Sequence, residues 1–190
     1  VICLKYVKLP GKYYPKVSGY FLYKRLKSIN LGKYDVCHAH FAFPSGMLGL
    51  YWNNPSVLTI HGSDWYTFKN NNYSVIDEVL DGFDKIIVVS DSLKEDIVKY
   101  YKSYENKINV IKHGVDHNVF NYTQDKISAR PSFLTVANLN YEKGVDVLIK
   151  SISDSSLLRN YDFNIIYASK DKREEQKIYE IIKEYNLSNI

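Results

Sequence analysis

The feature that most constrains this chain is a short β-branched apolar run, Val57–Ile60, that ends directly in His61, Gly62, Ser63 and Asp64. Runs of about four to eight apolar residues that stop at a turn signal are typical of buried strands in a parallel sheet. In open α/β sheets, ligands bind beyond the carboxyl ends of such strands. The four polar residues therefore either line a ligand site or only cap the next element, and this stretch alone leaves both interpretations open.

Strand-like and helix-like segments alternate along the whole chain. The patterns predict strands over 34–38, 57–60, 84–90, 107–111, 132–136 and 163–168, and helices over 18–31, 47–52, 73–80, 92–104, 143–152 and 174–185. Pro15 and residues 65–72 are predicted to lie in loops. Such alternation indicates parallel sheets covered by helices. The predicted fold class is therefore α/β, with two Rossmann-like parallel-sheet domains facing a cleft, both incomplete within these 190 residues.

The predicted domain boundary follows from a change in composition. Residues 117–131 contain few large aliphatic side chains and end at Pro131. We predict an N-terminal domain over 1–122 that lacks its start, and the beginning of a C-terminal domain over 123–190. A chain of this length holds one sizeable domain or two partial ones, and Val1 lies inside an apolar run, as expected of an excerpt from a longer protein.

The first 34 residues differ from the rest in charge. They contain eight Lys and Arg, six Tyr and no Asp or Glu, whereas the remaining residues hold 17 basic and 21 acidic side chains. Interleaved cations and aromatic rings favour an anionic membrane surface or single-stranded nucleic acid. The alternative is a solvated helix face beside a core stripe of Phe21, Leu22, Leu26 and Ile29. We retain the membrane contact and the solvated face as alternatives and expect no nucleic-acid partner.

Two further features concern the compartment. The sequence has no run of about 18 apolar residues, so no membrane-spanning segment is predicted. Its two cysteines, Cys3 and Cys37, form neither a metal-binding pattern nor a disulfide framework, which suits a reducing compartment. The expected location is the cytoplasm, with the inner face of the cell membrane as an alternative.

Polar residues follow the predicted strands at several points of the chain. They are His38 and His40, His61 to Asp64, Ser90, His113 to Asp116, and Asn138 to Gly144. Because the strands are predicted to be parallel, these groups are expected along one edge of each sheet. His38 and His40 are two residues apart on a strand and therefore point the same way. No carboxylate or cysteine completes a ligand spacing with them, so no metal site is predicted.

The segment Asn138–Gly144 suggests a different chemistry. Lys143 and Gly144 stand just before a predicted helix, where free backbone N–H groups and the helix dipole favour an anion. A lysine at this point supplies a charge-assisted contact to a phosphate. The alternative is a solvated lysine on a tight turn.

The ordered set of these motifs resembles a known enzyme family. The motifs are 35–41 (Asp-Val-Cys-His-Ala-His-Phe), 44–46 (Pro-Ser-Gly), 59–64 (Thr-Ile-His-Gly-Ser-Asp), 88–90 (Val-Val-Ser), 113–116 (His-Gly-Val-Asp) with Phe120, and 136–139 (Val-Ala-Asn-Leu) before Lys143-Gly144. In order and spacing, from about residue 18 to 152, they are similar to the retaining, nucleotide-sugar-dependent glycosyltransferases of GT-B architecture, group 1 (family 4).

The resemblance implies a hexosyltransferase-like enzyme that moves a sugar from a UDP- or GDP-sugar to a glycan or lipid-linked acceptor, in polysaccharide or glycolipid synthesis. It implies no cofactor and no metal, since Lys, Arg and helix N-termini stabilise the leaving diphosphate. His61 is the catalytic candidate near the transferred sugar, and Lys143, Gly144 and Asn138 are the candidates for diphosphate binding. The implied cleft-lining residues are His40, Gly62, Ser63, Asp64, Ser90, His113, Gly114 and Asp116.

Two departures from the family pattern keep alternatives open. The family commonly has Gly-Arg where this chain has Ala137-Asn138, and a glycine-rich turn where it has residues 165–170. A glycine-rich N-terminal loop and a Glu-x7-Glu region of the family lie outside these residues, so this fragment alone is expected to be inactive. The alternatives are a UDP-sugar epimerase of GT-B fold and a non-catalytic subunit that binds sugar nucleotides.

Overall fold

A computed structural model describes residues 14–29, 34–52, 55–69, 73–121, 132–168 and 172–190. The chain divides into two compact units, Val1–Phe120 (unit 1) and Asn121–Ile190 (unit 2). Each unit has its own parallel sheet and its own hydrophobic core. Much of the segment on which the predicted domain boundary rests, 122–131, lies outside the described residues, so the domain limits stay a prediction.

Unit 1 is built on a sheet of four parallel strands in the order β1-β2-β3-β4. The strands are β1 (Cys37–His40), β2 (Ser56–Ile60), β3 (Lys85–Val88) and β4 (Ile108–Val110). Leu58 and Ile60 of β2 and Ile86 and Val88 of β3 are buried, as expected of inner strands with a neighbour on each side. Because all four strands are parallel, their carboxyl ends lie along one edge.

The helices of unit 1 lie between and before these strands. They are α1 (Tyr14–Lys27), α2 (Ser63–Lys69), α3 (Tyr73–Asp81) and α4 (Asp91–Tyr100), with 3₁₀ helices Ser45–Tyr51 and Lys102–Lys107. Trp65 from α2, Val79 from α3 and Ile97 from α4 are buried in the same core as the strands. This alternation of helix and parallel strand confirms the predicted α/β class.

The prediction of a loop over 65–72 is wrong for residues 65–69, which belong to α2. The first turn closes through a hydrogen bond from the backbone N–H of Tyr66 to the carbonyl of Gly62, 2.9 Å. The buried Trp65 indole donates to the Asp96 carboxylate of α4 over 2.7 Å, and Lys69 pairs with the same carboxylate. These tertiary contacts stabilise a short helix whose aromatic composition gives little local helical signal.

Helix α1 begins at Tyr14, four residues before the predicted start, with Pro15 in its first turn, where proline is tolerated. The predicted core stripe is also wrong in part, because Phe21 is exposed while Ser18 and Gly19 are buried. Gly19 packs so closely on Met47 that a side chain would not fit there. The close approach of α1 to the Met47 side chain, which only a residue without a Cβ allows, selects this face.

Unit 2 contains the parallel pair β5 (Ser132–Val136) and β6 (Asp162–Ile166), paired in register from Ser132–Asp162 to Val136–Ile166. Its helices are α5 (Val145–Asp154) and α6 (Lys172–Glu184), with 3₁₀ helices Tyr141–Lys143 and Leu158–Asn160. Val145, Ile149 and Ile152 of α5 pack with Phe163 of β6 and Ile178 of α6 in one core. The order strand, helix, strand, helix is the one predicted.

Candidate functional site

Four of the five histidines of the chain lie at the carboxyl edge of the sheet of unit 1. The predicted strand over 34–38 is shifted, because β1 is Cys37–His40, so His38 and His40 lie within the strand rather than after it. Pairing with β2 accounts for the shift, since backbone hydrogen bonds from Cys37 to Pro55 and from Phe41 to Thr59, both 2.9 Å, extend the ladder along β1.

Four imidazoles meet at this edge and form a histidine cluster of His38, His40, His61 and His113. His40 Nδ1 lies 3.0 Å from His61 Nε2. Ring centroids are 4.4 Å apart for His38 and His40 and 5.6 Å apart for His61 and His113. His38 Nε2 lies 2.8 Å from the hydroxyl of Thr59. Three of the predicted site residues, His40, His61 and His113, therefore come together.

Electrostatics keep the half-buried His61 neutral. Burial lowers the pKa of His61 from 6.5, Asp64 opposes this, and the neighbouring imidazoles of His40 and His113 lower it further. Burial, followed by His40 and His61, lowers the pKa of His38 in the same way. Since a lowered pKa leaves the ring unprotonated at neutral pH, His61 can donate one hydrogen bond and accept another without carrying charge.

Asp64 lies behind the cluster rather than on its exposed side. Only 7% of it is exposed. One carboxylate oxygen accepts the backbone N–H of Ala42 at 2.7 Å and the other accepts that of His61 at 3.0 Å. The carboxylate thus ties the segment after β1 to the segment after β2, and Gly62 makes the intervening turn with φ of +98°. In this geometry Asp64 fixes the main chain of His61.

Replacing Asp64 by asparagine is expected to destabilise unit 1 by about 1–3 kcal/mol, because the amide offers one acceptor for two buried backbone donors and turns an N–H towards the other. Urea denaturation of the complete natural chain measures this. The control is Glu95→Gln, which makes the same chemical change at an exposed position of α4. Equal urea midpoints for the two variants would show that the two hydrogen bonds of Asp64 make no net contribution to the free energy of unfolding.

The remaining residues predicted for unit 1 lie on the turns and helix starts that follow the strands, and their role in lining a cleft stays a prediction. Ser63 is exposed in the first turn of α2, and the Ser90 hydroxyl caps α4 by accepting the backbone N–H of Leu93 at 3.2 Å. Asp116 accepts the backbone N–H of Asn118 at 2.9 Å in an exposed turn. Gly114 is exposed, with open space where a Cβ would lie.

In unit 2, the structure places Asn138, Lys143 and Gly144 on the connection between β5 and α5. Gly144 adopts a left-handed conformation (φ +64°, ψ 27°) directly before α5, and its carbonyl accepts the backbone N–H of Leu148 at 3.0 Å. Lys143 and Asn138 are exposed. No side chain caps the amino end of this ten-residue helix in the described structure. The first N–H groups of α5 therefore have no side-chain cap, and Lys143 lies two residues before the helix. Anion binding at this point stays a prediction.

Phe41 is a neighbour of the cluster that sequence reasoning missed. Its ring centroid lies 4.5 Å from that of His61, and 44% of the residue is exposed. Its φ of 70° is unusual for a bulky side chain, and such strain concentrates at functional sites. The residue stands in the motif at 35–41, but nothing in that motif signals a positive φ.

The described residues offer neither a metal centre nor a membrane span. They contain no group of three or more His, Cys, Asp or Glu side chains arranged to hold a metal ion. Among the helices in the described ranges, none combines the length and the apolar character needed to cross a bilayer.

A parallel α/β chain with a histidine at one sheet edge and a lysine-glycine start to a helix has the features expected of a GT-B glycosyltransferase. The chain belongs to glycosyltransferase family 4, whose family profile matches residues 1–119. An uncharacterized glycosyltransferase of Methanocaldococcus jannaschii is 32% identical over 167 residues, which are 82% of this chain and 42% of that protein. A second one from the same organism is 27% identical over 175 residues, 80% of this chain and 44% of the other.

Solved structures share the fold. The catalytic domain of starch synthase IV from Arabidopsis thaliana, bound to ADP and acarbose, matches 95% of this chain and 52% of its own with a TM-score of 0.65 and 12% identity. A glycosyltransferase from Rickettsia africae matches 90% of this chain and 48% of its own, with a TM-score of 0.58 and 22% identity. The chain thus spans about half the length of the proteins it matches. These findings confirm the predicted family and GT-B fold.

Proposed function

We propose that this chain is part of a retaining glycosyltransferase that moves a sugar from a UDP- or GDP-sugar to a glycan or lipid-linked acceptor. Membership of family 4 supports transfer of a sugar. The neighbour bound to ADP and acarbose supports a nucleotide and a carbohydrate as ligands of this fold. Polysaccharide or glycolipid synthesis at the cytoplasmic face of a membrane is the context we propose for the reaction.

The observation that carries the donor assignment is the start of α5. Lys143 supplies a positive charge, and left-handed Gly144 lets the first backbone N–H groups of the helix point at a ligand. A diphosphate is the part of a nucleotide sugar that such a site binds, because it carries charge and many acceptor oxygens. Asn138 adds an uncharged donor on the same connection.

His61 is the residue we assign to the transferred sugar. A neutral imidazole matches a sugar hydroxyl, which both donates and accepts hydrogen bonds. In a retaining transfer the leaving diphosphate helps to deprotonate the acceptor hydroxyl, and the positive charge of Lys143 with the N–H groups of α5 stabilises that diphosphate as the glycosidic bond breaks. The reaction we propose therefore needs no metal ion.

The two alternatives remain testable beside this proposal. An epimerase needs carboxylates free to exchange protons, whereas both oxygens of Asp64 are held by backbone N–H groups. It would also convert its UDP-sugar without any acceptor. A non-catalytic subunit would bind the nucleotide sugar and release no nucleoside diphosphate.

Thermal unfolding of the complete natural chain with a panel of UDP- and GDP-sugars tests the proposal. A ligand at 100 times its dissociation constant stabilises a protein by about 2.7 kcal/mol, which is an upward shift in midpoint of several degrees. We expect this shift with one nucleotide sugar and a smaller one with the corresponding sugar alone. No shift with any nucleotide sugar would contradict the donor assignment.

We further propose that α1 contacts an anionic membrane surface. Its last turn carries Lys24, Arg25 and Lys27, its first turn has no acidic residue, and Tyr20 and Phe21 are exposed. Exposed aromatic rings beside cations suit the boundary between headgroups and acyl chains.

Changing Lys24, Arg25 and Lys27 together to glutamine should weaken binding to anionic vesicles about 100-fold, because each cation near such a surface contributes about 1 kcal/mol. Co-sedimentation with vesicles of phosphatidylcholine, alone or mixed equally with phosphatidylglycerol, measures this. The matched control changes three exposed lysines elsewhere to glutamine: Lys99, Lys102 and Lys150. If binding does not depend on the anionic lipid, or decreases equally in both triple variants, the proposed membrane contact is wrong and α1 is a solvated helix.

A further inference from the structure

The hydrogen bond between His40 and His61 is a contact of the histidine cluster that the proposed function does not use. The two nitrogens, His40 Nδ1 and His61 Nε2, are 3.0 Å apart, the rings are inclined by 25°, and their centroids are 5.3 Å apart. The centroids are thus farther apart than the nitrogens by about one ring width. The rings therefore lie side by side with these nitrogens facing each other, which is the geometry of a hydrogen bond rather than of face-to-face stacking.

A hydrogen bond between two imidazole nitrogens restricts the protons of both rings. One nitrogen must carry the hydrogen while the other is bare, so both rings cannot be imidazolium at once. The bond also fixes which tautomers can pair. Because Nε2 of His61 is engaged with His40, Nδ1 is the nitrogen of His61 that this bond leaves for a ligand.

The surroundings hold both rings in this arrangement. His38 packs on His40 with ring centroids 4.4 Å apart, and its own Nε2 lies 2.8 Å from the hydroxyl of Thr59 on β2. His61 is tied through its backbone N–H to Asp64 and faces the ring of His113 at 5.6 Å. The titratable groups around His61 are thus His40, His113 and Asp64, with His38 beyond His40.

We propose that His40 is a positioning residue, which holds the His61 ring in one orientation so that Nδ1 faces the transferred sugar. This inference rests on the proposed function of His61. A sugar hydroxyl both donates and accepts, so it can pair with Nδ1 in either tautomer of the histidine pair. Without His40, the ring of His61 would rotate between orientations, and only some of them would meet the sugar.

Two substitutions of His40 separate the hydrogen bond from the ring contact. His40→Phe keeps an aromatic ring of similar size but has no nitrogen, and His40→Asn places an amide close to the position of Nδ1. We expect kcat to fall about 10-fold in the phenylalanine variant, with little change in the KM for the donor, and to return most of the way in the asparagine variant. Equal losses in both variants, or none in either, would overturn the proposal.

The pH profile provides a second readout. Burial lowers the pKa of His61 most, Asp64 opposes this, and the His40 and His113 imidazoles lower it further. In His40→Phe the pKa of His61 therefore moves upward, and since the neutral ring is the active form, the acid limb of kcat/KM should move to higher pH. An acid limb that stays in place would contradict the coupling between the two rings.

Nitrogen-15 NMR of histidine-labelled complete chain tests the inference without any sugar transfer. We expect the His61 ring nitrogens to change shift and tautomer in His40→Phe and to stay unchanged in His117→Asn, which alters an exposed histidine outside the cluster. Unchanged His61 resonances in His40→Phe would overturn the positioning role even if the enzyme is active. A chain that couples the two histidines but transfers no sugar would instead overturn the proposed function.

Discussion

Replacing His61 by alanine should lower kcat for sugar transfer about 10²-fold while leaving the affinity for the donor nearly unchanged. This decrease in kcat is the one expected when a preorganised active site loses one hydrogen bond to the transition state. Asp64 fixes the backbone N–H of His61, and His40 holds its ring. Because the donor diphosphate is assigned to Lys143 and Gly144, the affinity for the donor should be nearly unchanged in His61→Ala.

Steady-state kinetics and donor titration on the complete natural chain separate these two effects. The control is His117→Ala, which removes an exposed imidazole outside the cluster. Circular dichroism during urea denaturation shows whether His61→Ala is folded, because the lost ring also contacts Phe41 and His113. Full activity in a folded His61→Ala variant would remove this residue from the reaction.

Replacing Lys143 by alanine should weaken nucleotide-sugar binding about 10- to 100-fold. A hydrogen bond to a charged group contributes about 1.5–3 kcal/mol, which corresponds to that range of dissociation constants. The loss should appear with the nucleoside diphosphate alone, since the lysine is assigned to the phosphates. It should shrink as salt is added, because the site is exposed.

Calorimetric titration of the complete natural chain measures the effect, and Lys143→Arg should keep most of the affinity because it keeps the charge. Lys150→Ala is the matched control, since Lys150 is an exposed lysine within α5, five residues after its first residue Val145. A dissociation constant for Lys143→Ala equal to that of Lys150→Ala would remove the main donor contact from the proposal.

The sequence predicted those elements that depend on neighbouring residues or on the burial of a continuous apolar run. The prediction of β2 is confirmed, since most of its residues are buried inside the sheet. A short run of apolar, β-branched residues is typical of such a strand. The start of α4 was predicted at residue 92, one residue late, because serines stand at both 90 and 92 and it is the Ser90 hydroxyl that accepts the backbone N–H of Leu93. The sequence placed Gly144 just before α5, and the structure gives it the left-handed conformation that favours glycine there.

Other features depend on contacts between distant parts of the chain. Helix α2 is stabilised by the bond from the Trp65 indole to Asp96, 31 residues away. The buried face of α1 is chosen by the approach of Gly19 to Met47. Asp96 and Met47 lie far along the chain from the helices that they contact, so the local spacing of apolar residues carries no sign of these contacts. For α1, that spacing alone predicts the wrong buried face.

The candidate site shows the same division. The sequence predicted the histidines at one edge of a sheet, because the carboxyl ends of parallel strands lie along the same edge. It did not give the bond between His40 and His61, since that bond depends on β1 extending two residues past its predicted end. Nor did it give the positive φ of Phe41, which the fold imposes on a side chain that disfavours it.

The most direct test of the central claim is a transfer assay on the complete natural chain with UDP- and GDP-sugars, a lipid-linked acceptor extract and a chelator of divalent metals. Release of nucleoside diphosphate and the anomeric configuration of the new linkage, read by proton NMR, are the measurements. We predict acceptor-dependent release from one donor, retention of the donor's configuration, and release that is about 10²-fold slower in His61→Ala. Release without acceptor, inversion, or no turnover with any donor would contradict the account.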